Sequence, residues 1–420
     1  MAKYSTIRGM NDILPAEAEK WQYIEAKARK VFDEYGFSEI KTPILEKTSL
    51  FTRSIGEDTD IVEKEMYTFP DRKEELLSMR PEGTASVVRA YVQHKMYASS
   101  SFTKLYYFGP MFRYERPQKG RNRQFYQIGA EAIGVSSPAV DAEVISMLHT
   151  FFDQLGLDGL VVNINSIGCA GCRPAYKEKL LKFIAGSVDE LCDNCQRRYE
   201  DNPLRVIDCK SKGCREKTID APSILDSLCG GCHDDFERLK DYLSDLNIPF
   251  NVNHRMVRGL DYYTKTAFEI TSDNIGSQDA VAAGGRYDRL VEEIGGPPTP
   301  AVGFAIGVER LSMLLVEDDI NLKRFPDLFI AALGDKAYNR AFRLAHDLRT
   351  REVKVEYDHE GKSLKAQMRR AGALGASYVL ILGDAEIESG RAVLKDMNNH
   401  EQSDIAWEEI VPEMRVRMKG

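Results

Sequence analysis

The spacing of apolar residues predicts a helix followed by a strand in the first part of the chain. Apolar positions three or four residues apart between Ala16 and Tyr35 predict an amphipathic helix that ends at Gly36. The next run, Phe37 to Leu45, alternates loosely, as a strand does, and Pro43 within it is tolerated at an edge or a bulge. The apolar positions of the predicted helix are Trp21, Ile24, Ala28, Val31 and Phe32.

A hairpin is predicted between residues 102 and 134. Two strand-like runs, Lys104 to Phe112 and Gln124 to Ile133, are joined by the polar stretch 113–123. Five Lys or Arg residues and one acid, Glu115, give this stretch a charge of about +4. We therefore expect a long, mobile, basic loop at the tip of the hairpin.

The strand pattern is interrupted by an insertion. A helix over 141–155 and a strand over 160–167 precede a change of character at Gly168, and a cysteine-bearing segment continues to about Asn247. Strand patterns then resume, so the same sheet is expected to continue after the insertion. The later elements are strands over 262–271, 279–283 and 303–306, a turn at Gly284-Gly285, and helices over 287–294 and 307–316.

A second domain is predicted after residue 325. The charged stretch 317–324, followed by Pro326, is typical of a linker, and beyond it strands and helices alternate as in a small α/β domain. Its strands are predicted over 328–333, 353–357, 378–382 and 391–396, and its helices over 336–351, 363–374 and a terminal piece. The predicted organisation is a core of residues 1–325, interrupted by an insertion domain at 168–247, and a C-terminal domain of residues 326–420.

Composition excludes several classes of protein. A chain of 420 residues that is 43% hydrophobic and 29% charged is typical of a globular protein with two or three domains. Every apolar run is far shorter than the ~20 residues of a membrane-spanning helix, and the N-terminus lacks the apolar region of a secretory signal, so we expect a cytoplasmic protein. The net charge of −8 excludes a uniformly basic nucleic-acid binder but leaves a locally basic groove open.

All eight cysteines lie within the insertion, in four close pairs. Three pairs have two residues between the cysteines and the fourth has four, and both spacings allow two thiolates to reach one zinc ion. Two structural Cys₄ zinc sites fit the count, while free thiols, or one site with four spectators, remain alternatives, and His233 is a further possible ligand. The pairs are Cys169 with Cys172, Cys192 with Cys195, Cys209 with Cys214, and Cys229 with Cys232.

The predicted hairpin carries residue types that suit a phosphate ligand. Residues 125, 127, 129 and 131 share one face of the return strand, so Phe125, Gln127 and Glu131 can face one pocket. With Arg113 at the end of the first strand, this pattern offers a guanidinium for phosphate, an aromatic face for a base and a basic loop to cover a polyphosphate. The alternative is a hairpin with a solvated, charged tip.

The order of these segments resembles a known enzyme class. The proline-containing strand 37–46, the hairpin and the strand-to-helix segment GFAIGVERL of residues 303–311 resemble motifs 1, 2 and 3 of the class II aminoacyl-tRNA synthetases. The resemblance narrows to the histidyl-tRNA synthetase family, whose signature segments it matches along essentially the whole chain. These are RGMNDILP at 8–15, RPEGT at 80–84, FRYERPQKGRNRQFYQIG at 112–129, VRGLDYYT at 257–264 and AAGGRYD at 282–288.

The resemblance implies a fold, a reaction and partners. The expected fold is α+β: an antiparallel class II sheet flanked by helices, with a cysteine-bearing insertion and a C-terminal anticodon-binding α/β domain. The implied reaction activates histidine with ATP and Mg²⁺ and transfers it to the 3′ end of tRNA(His). A homodimer formed through motif 1 is also implied, and the basic helix 363–374 is a candidate contact with the tRNA backbone. Many family members have few cysteines in the insertion, so zinc is not expected to serve the chemistry.

The family also implies roles for individual residues. The implied ATP contacts are Arg113 on the α-phosphate, Glu115 on the adenine amino group, Phe125 and Arg310 on the two faces of the base, and Arg121 on the terminal phosphates. Histidine is expected to be held at its ammonium by Glu82, Thr84 and Gln127 and at its imidazole by Glu131 and Tyr263, with Tyr262 lining the pocket. Arg258 is expected to act with Arg113 on the reacting phosphate, and Gly284, Gly285 and Arg286 to shape the pocket floor.

Two other functions compete with this interpretation. One is the non-catalytic relative that serves as a regulatory subunit of ATP phosphoribosyltransferase, but the presence of Arg258 and of a C-terminal domain argues against it. The other is a class II synthetase for glycine, threonine or proline, which would not carry both VRGLDYYT and AAGGRYD. Taken alone, Glu82 fits a helix cap, Tyr262 and Tyr263 fit ordinary sheet aromatics, and Arg258 fits a surface turn.

Overall fold

A computed structural model describes residues 4–56, 59–200, 202–272, 280–315 and 325–418. Two compact units divide the chain, Met1–Asn321 and Leu322–Gly420. Three parts of the sequence predictions lie outside the described residues: the linker stretch 317–324, Val316 at the end of a predicted helix, and Asp279 at the start of a predicted strand. In the described part of the chain, no helix has the length and apolarity needed to cross a membrane.

The first unit is built on a sheet of eight strands in the order β1-β5-β6-β11-β10-β9-β7-β8. Neighbouring strands from β5 to β7 are antiparallel, which confirms the expected class of sheet, whereas the two edge pairs β1/β5 and β7/β8 are parallel. A parallel pair needs a long connection, and the insertion between β7 and β8 is such a connection. The strands are β1 (Ser38–Glu39), β5 (Thr103–Phe112), β6 (Gln124–Ile133), β7 (Leu160–Ser166), β8 (Phe250–Val252), β9 (Thr264–Ser272), β10 (Ala280–Arg286) and β11 (Ala301–Gly307).

A smaller sheet corrects the prediction of one strand over 37–45. The segment contains two short strands that belong to different sheets, because Pro43 between them cannot donate a ladder hydrogen bond. Arg80 stabilises the point where the chain passes from one sheet to the other. Its Nη1 donates to Thr42 O at 3.0 Å, and its backbone N donates to Ile44 O at 2.9 Å. The three-stranded sheet has the order β2-β4-β3 and consists of β2 (Leu45–Lys47), β3 (Thr68–Pro70) and β4 (Leu76–Met79).

Helices cover one face of the large sheet, and the other face carries the site beside two further helices. The predicted apolar stripe of the first helix is confirmed, since Trp21, Ile24, Ala28, Val31 and Phe32 are all buried. Alternate residues of β6 that pack in this core place Gln127 and Glu131 on the opposite face. The helices of the unit outside the insertion are α1 (Pro15–Glu34), α2 (Thr48–Ile55), α3 (Thr84–Gln93), α4 (Pro138–Gln154), α10 (Leu290–Glu293) and α11 (Val308–Leu314).

The insertion forms a small helical body with its own core. Tyr176, Leu180, Val206 and Ile207 are buried there together with several cysteines. The last helix of the predicted insertion also contributes to the main core, where Phe236, Leu239 and Leu243 are buried. The helices are α5 (Arg173–Ile184), α6 (Asp193–Arg198), α7 (Leu204–Ile207), α8 (Lys212–Lys217) and α9 (Gly230–Asp245).

The second unit is a five-stranded sheet with helices, in the order β13-β12-β14-β15-β16. Strands β13, β12 and β14 are parallel and β14 to β16 are antiparallel. Two elements were not predicted, α14 (Asp384–Ser389) and the polar edge strand β16 (Gln402–Ala406). The remaining elements are β12 (Leu328–Ala332), α12 (Asp335–Arg349), β13 (Val355–Tyr357), α13 (Leu364–Ala373), β14 (Tyr378–Leu382), β15 (Arg391–Asp396) and α15 (Trp407–Arg417).

Candidate active site

A cavity of about 270 Å³ lies on the open face of the large sheet. Its wall is formed by the β5–β6 hairpin, by β9, β10 and the β11–α11 corner, and by the segment that precedes β9. Among the described residues that line it are eleven of the twelve predicted site residues: Glu82, Thr84, Arg113, Glu115, Arg121, Phe125, Gln127, Arg258, Tyr262, Tyr263 and Arg310. The twelfth, Glu131, lies behind Thr84.

The hairpin supplies a cationic end to the cavity. Arg113 Nε donates to Pro81 O at 2.8 Å, and the guanidinium carbon lies 5.3 Å from the centre of the Phe125 ring. Glu115 is the counter-charge: its Oε2 lies 2.9 Å from Arg121 Nη1, and its Oε1 lies 4.0 Å from Arg113 Nη1. A basic group held beside an aromatic face suits a nucleotide.

Arg310 connects the hairpin tip to the sheet. It lies in the first turn of α11, and its Nε donates to Gly120 O at 3.2 Å while its Nη1 donates to Ala280 O at 2.8 Å. Burial lowers the pKa of Arg310, and the nearby charge of Arg121 lowers it further. An anion in the cavity would relieve this repulsion between guanidinium groups.

Glu82 both caps a helix and lines the cavity. Its two carboxylate oxygens accept hydrogen bonds from Thr84 N at 2.7 Å and Ala85 N at 2.8 Å, at the start of α3. Burial raises the pKa of Glu82, and these two backbone hydrogen bonds act in the opposite direction. The capping interpretation and the pocket interpretation of Glu82 are therefore compatible.

Glu131 is fully buried and has two hydroxyl partners. Thr84 Oγ1 donates to Oε1 at 2.7 Å, and the Tyr287 hydroxyl donates to Oε2. Burial raises the pKa of Glu131 to about 8. A Cβ at Gly303 on β11 would lie 1.8 Å from Glu131 Oε2, so the glycine leaves room for this carboxylate. Tyr287 was not predicted, although it lies in the AAGGRYD segment.

The segment before β9 supplies Arg258 and two tyrosines. The rings of Tyr262 and Tyr263 are buried, with their centres 4.7 Å apart, and the Arg258 guanidinium carbon lies 5.6 Å from the Tyr263 ring centre. Within the described residues, Arg258 Nε and Gln127 Oε1 are buried and have no hydrogen-bond partner. Buried polar groups are normally paired, so both atoms are available to a ligand in the cavity.

Two carboxylates on the cavity wall were also not predicted. Glu269 Oε2 lies 3.9 Å from Arg258 Nη1. The two carboxylate oxygens of Glu309 accept hydrogen bonds from Tyr126 N at 3.0 and 3.2 Å, and burial raises the pKa of Glu309 to about 7. Among the described residues, only the cysteines form close groups of three or more potential metal ligands. A Mg²⁺ ion in this cavity would therefore need phosphate oxygens as additional ligands.

The predicted pocket floor serves the sheet more than the cavity. A Cβ at Gly284 would lie 2.3 Å from Gly303 O, so this glycine allows β10 and β11 to approach each other. Arg286 is buried against buried Asp141, with Nε 2.9 and 2.8 Å from the two carboxylate oxygens. Arg286 therefore has a structural partner.

The eight cysteines form two groups that could each hold a metal ion. All four sulfur atoms of each group lie within 4.8 Å of one another. His233, the further ligand considered, has a side chain that is 60% exposed and lies beside Asp234, outside both groups. The base cluster is Cys169, Cys172, Cys229 and Cys232, and the inner cluster is Cys192, Cys195, Cys209 and Cys214.

The antiparallel sheet, with a nucleotide-sized cavity between a basic hairpin and a strand-to-helix corner, defines a class II aminoacyl-tRNA synthetase. Two family models match the chain: "Histidyl-tRNA synthetase" over residues 9–311 and "Anticodon binding domain" over residues 327–417. The chain belongs to the histidyl-tRNA synthetase family.

Similar proteins agree with this assignment. A histidine–tRNA ligase of Syntrophotalea carbinolica is 55% identical over 416 residues, covering 99% of both chains. One of Geobacter metallireducens is 57% identical over 399 residues, covering 95% of this chain and 96% of the relative. The apo structure of Staphylococcus aureus histidyl-tRNA synthetase superposes with a TM-score of 0.83 at 38% identity, covering 98% of this chain and 100% of that one. The predicted ligase function is confirmed, and the regulatory-subunit alternative has no support from these relatives.

Proposed function

We propose that this single cavity carries out both steps of histidine–tRNA ligation. ATP and histidine bind side by side and form histidyl-adenylate and pyrophosphate, and the histidyl group then passes to the 3′ end of tRNA(His). The observation that carries the proposal is the meeting of Arg113 and Arg258, which are far apart in sequence, on the wall of one cavity.

The hairpin end binds ATP. Arg113, oriented by the Pro81 carbonyl, contacts the α-phosphate, while Phe125 and Arg310 cover the two faces of adenine and Glu115 accepts from its amino group. Arg121 leaves its ion pair with Glu115 to contact the terminal phosphates. Mg²⁺ would be held with the help of these phosphates, because the carboxylates of the described wall do not form a close group of ligands.

The buried end binds histidine. The ammonium group contacts Glu82, Thr84 and Gln127, whose free Oε1 is a ready acceptor. The imidazole contacts Tyr263 and Glu131, and Glu131 exchanges one hydroxyl partner for a ring nitrogen, while Tyr262 lines the pocket. An apolar amino acid would leave these buried polar groups unpaired, at a cost of about 1 to 3 kcal/mol each.

The chemistry depends on positioning and charge. The histidine carboxylate attacks the α-phosphorus in line, the bond to pyrophosphate breaks, and negative charge spreads over the equatorial oxygens. Arg113 and Arg258 stabilise that charge from two sides. In the transfer step the terminal ribose hydroxyl attacks the activated carbonyl. Its proton is proposed to pass to a phosphate oxygen of the adenylate itself.

The second unit is proposed to bind the anticodon region of tRNA(His), as its family match suggests. Lys365 and Arg369 on α13 are exposed and suited to phosphate contacts, whereas Arg370 lies 3.6 Å from Asp358.

A homodimer and a cytoplasmic location complete the proposal. The location is supported by the tRNA substrate and by the clustering of all eight cysteines, which is more typical of metal ligation in a reducing compartment than of disulfides.

Pyrophosphate exchange tests the proposal directly. Wild type and Arg258→Ala are assayed with ATP and each of the twenty amino acids, and circular dichroism checks the fold. We expect exchange with histidine alone, reduced at least 100-fold in the variant, since one oxyanion-stabilising donor contributes about that factor. Arg197→Ala, an exposed arginine on α6, is the control and should retain exchange. If the wild type binds histidine by calorimetry but shows no exchange, the catalytic proposal is wrong.

A further inference from the structure

The two cysteine clusters are nested along the chain. The base cluster joins the two ends of the insertion: Cys169 and Cys172 follow β7, while Cys229 and Cys232 lie at the start of α9. The inner cluster lies between these ends and joins α6 to α8. A body of about 60 residues with so small a core is in the size range where a structural metal is commonly needed.

The sulfur atoms lie at distances that suit zinc. A tetrahedral site with Zn–S bonds of about 2.3 Å has sulfur-to-sulfur edges of about 3.8 Å. The distance from Cys169 Sγ is 3.6 Å to Cys172 Sγ and 3.9 Å to Cys229 Sγ, and Cys192 Sγ lies 3.8 Å from Cys209 Sγ. Both clusters already have the dimensions of a tetrathiolate site.

Backbone N–H groups point at the sulfurs of both clusters. Cys229 N donates to Cys172 Sγ at 3.1 Å, and Cys192 N donates to Cys214 Sγ at 3.2 Å. Ser211 N lies 3.5 Å from Cys209 Sγ. Donors in this position stabilise thiolate ligands and orient them on a metal.

The body that these clusters hold contacts the backbone of the catalytic segment. Arg173, the residue after Cys172, donates to the Tyr263 carbonyl and, at 3.3 Å, to Ile167 O. Arg205 on α7 donates to Gly259 O at 2.5 Å. The carbonyl of Gly259, the residue after Arg258, and the carbonyl of Tyr263 are therefore each bound by an arginine of the insertion.

A third contact reaches the inner cluster. Arg255 Nη2 donates to Thr218 Oγ1 at 2.7 Å and to Ile207 O at 3.1 Å. Thr218 Oγ1 in turn donates to the Cys214 carbonyl at 2.9 Å, at the end of α8. Both clusters are thus one or two hydrogen bonds away from the chain that carries Arg258.

We propose that each cluster binds one Zn²⁺ ion and that the zinc-bound insertion positions the 255–263 segment for histidine binding. Arg173 is the positioning residue that connects the base cluster to Tyr263. The zinc ions are structural and take no part in the reaction. The kinetic part of this proposal rests on the proposed ligase function, whereas zinc binding does not depend on it.

Metal content tests the first part. Full-length protein made in zinc-containing medium and purified under reducing conditions is expected to hold two zinc ions per chain by atomic emission. Cys172→Ser and Cys214→Ser should each reduce the content to about one, and the double variant to about zero. His233→Ala, adjacent to Cys232 but outside the cluster, is the matched control and should retain two. A wild-type content near zero, or a content of two in the double cysteine variant, would overturn the assignment.

Kinetics test the positioning role, and Arg173→Gln is compared with Arg197→Gln. With its zinc retained, Arg173→Gln should raise the KM for histidine in pyrophosphate exchange about tenfold, because one charge-assisted hydrogen bond to the pocket backbone is lost. The KM for ATP should be unchanged, whereas a general loss of folded protein would lower the maximal rate and raise neither KM. Arg197, which pairs with Asn194 within α6, should leave both constants unchanged. Equal changes in both constants, or none, would contradict the positioning role, and absence of exchange in the wild type would contradict the ligase proposal instead.

Discussion

The environment of Glu131 shows how burial sets the state of a single side chain in the pocket. Its carboxylate is surrounded by hydroxyl donors and has no described cationic partner, so burial dominates and raises the pKa to about 8. At neutral pH the folded protein therefore favours a protonated Glu131, which can donate a hydrogen bond as well as accept one.

Glu131→Gln is predicted to change how stability depends on pH. Because the pKa of Glu131 is about 8 in the folded state and near 4.5 when unfolded, the folded wild type loses stability as pH rises between these values. The variant has no such proton, so its free energy of unfolding should increase relative to that of the wild type when the pH is raised from 5 to 8.5. The increase should be a few kcal/mol at most, because one pKa unit corresponds to about 1.4 kcal/mol. Urea unfolding at both pH values measures this difference.

Glu292→Gln, at an exposed position on α10, is the control for the same measurement and should show no pH-dependent difference. A difference between Glu131→Gln and wild type that is equal at pH 5 and pH 8.5 would contradict a raised pKa at Glu131.

The sequence indicated most of the residues that line the cavity because they occur in recognisable segments. Tyr287 and Glu309 were missed because their roles depend on partners distant in sequence. Glu269 was missed because its contact with Arg258 depends on how the segment before β9 folds back on that strand. The hydroxyl of Tyr287 meets a carboxylate 156 positions away, and no local pattern encodes that contact.

Among the elements, α13 combines a buried polar anchor with an exposed basic side. Gln367 is fully buried and pairs with both backbone groups of Ala332 on β12, at 3.0 and 2.8 Å. Lys365 and Arg369 are exposed. The anchor fixes how the helix is rotated, and so which cations remain available to a polyanion.

Replacing Lys365 and Arg369 together by Gln is predicted to weaken tRNA binding. Two fewer phosphate contacts should make the slope of log affinity against log salt less negative by about 2, since each contact contributes about 0.9. Filter binding over a range of salt concentrations measures the slope, and pyrophosphate exchange should not change. Lys336→Gln with Arg343→Gln, exposed on α12, is the matched control. An unchanged slope in the α13 variant would show that this helix does not contact the phosphates.

Elements in which apolar residues recur at a regular spacing were predicted well, and elements without such a spacing were not. The five buried positions of α1 follow directly from helical spacing. Strand β16 was missed because its residues are mostly polar and exposed at the sheet edge. The 37–45 segment was predicted as one strand because its alternation continues through Pro43, and only the two different partner strands show where it divides.

For the whole molecule, the surface of the three-stranded sheet bears on the proposed homodimer. Leu45 on β2 and Phe69 on β3 are 43% and 41% exposed, and the register of both strands against β4 places them on the same face of the sheet as Leu77. Leu45 belongs to the motif 1 segment that is proposed to form the interface. An apolar patch of this kind is typical of a protein interaction surface.

The chain is predicted to sediment as a dimer of about 95 kDa, twice its mass of 47.5 kDa. Leu45→Glu combined with Phe69→Glu should shift it to the monomer, because two carboxylates would have to lose water at the interface. Analytical ultracentrifugation measures the change. Val416→Glu, an apolar residue 71% exposed on α15, is the control and should remain dimeric. A monomeric wild type at micromolar concentration would contradict the dimer, and a dimeric double variant would place the interface elsewhere.

Linker composition predicts a domain boundary near residue 325, but no pattern in the sequence predicts the strand order. Strand β6 lies between β5, its neighbour in sequence, and β11, which is separated from β6 in sequence by the insertion and four strands. Sequence patterns report how a segment is buried, whereas the choice of partner strand depends on the packing of the complete unit.

This strand order has a consequence for synthesis of the chain. About 170 residues separate the end of β6 from the start of β11, and a ribosome adding 5–20 residues per second needs roughly 10–30 s to make them. During that interval the outer edge of β6 lacks its partner strand, and an unpaired edge can join another nascent chain. The strand order therefore sets how long this edge stays unpaired during synthesis, which is until Ala301 and the residues after it have left the ribosome.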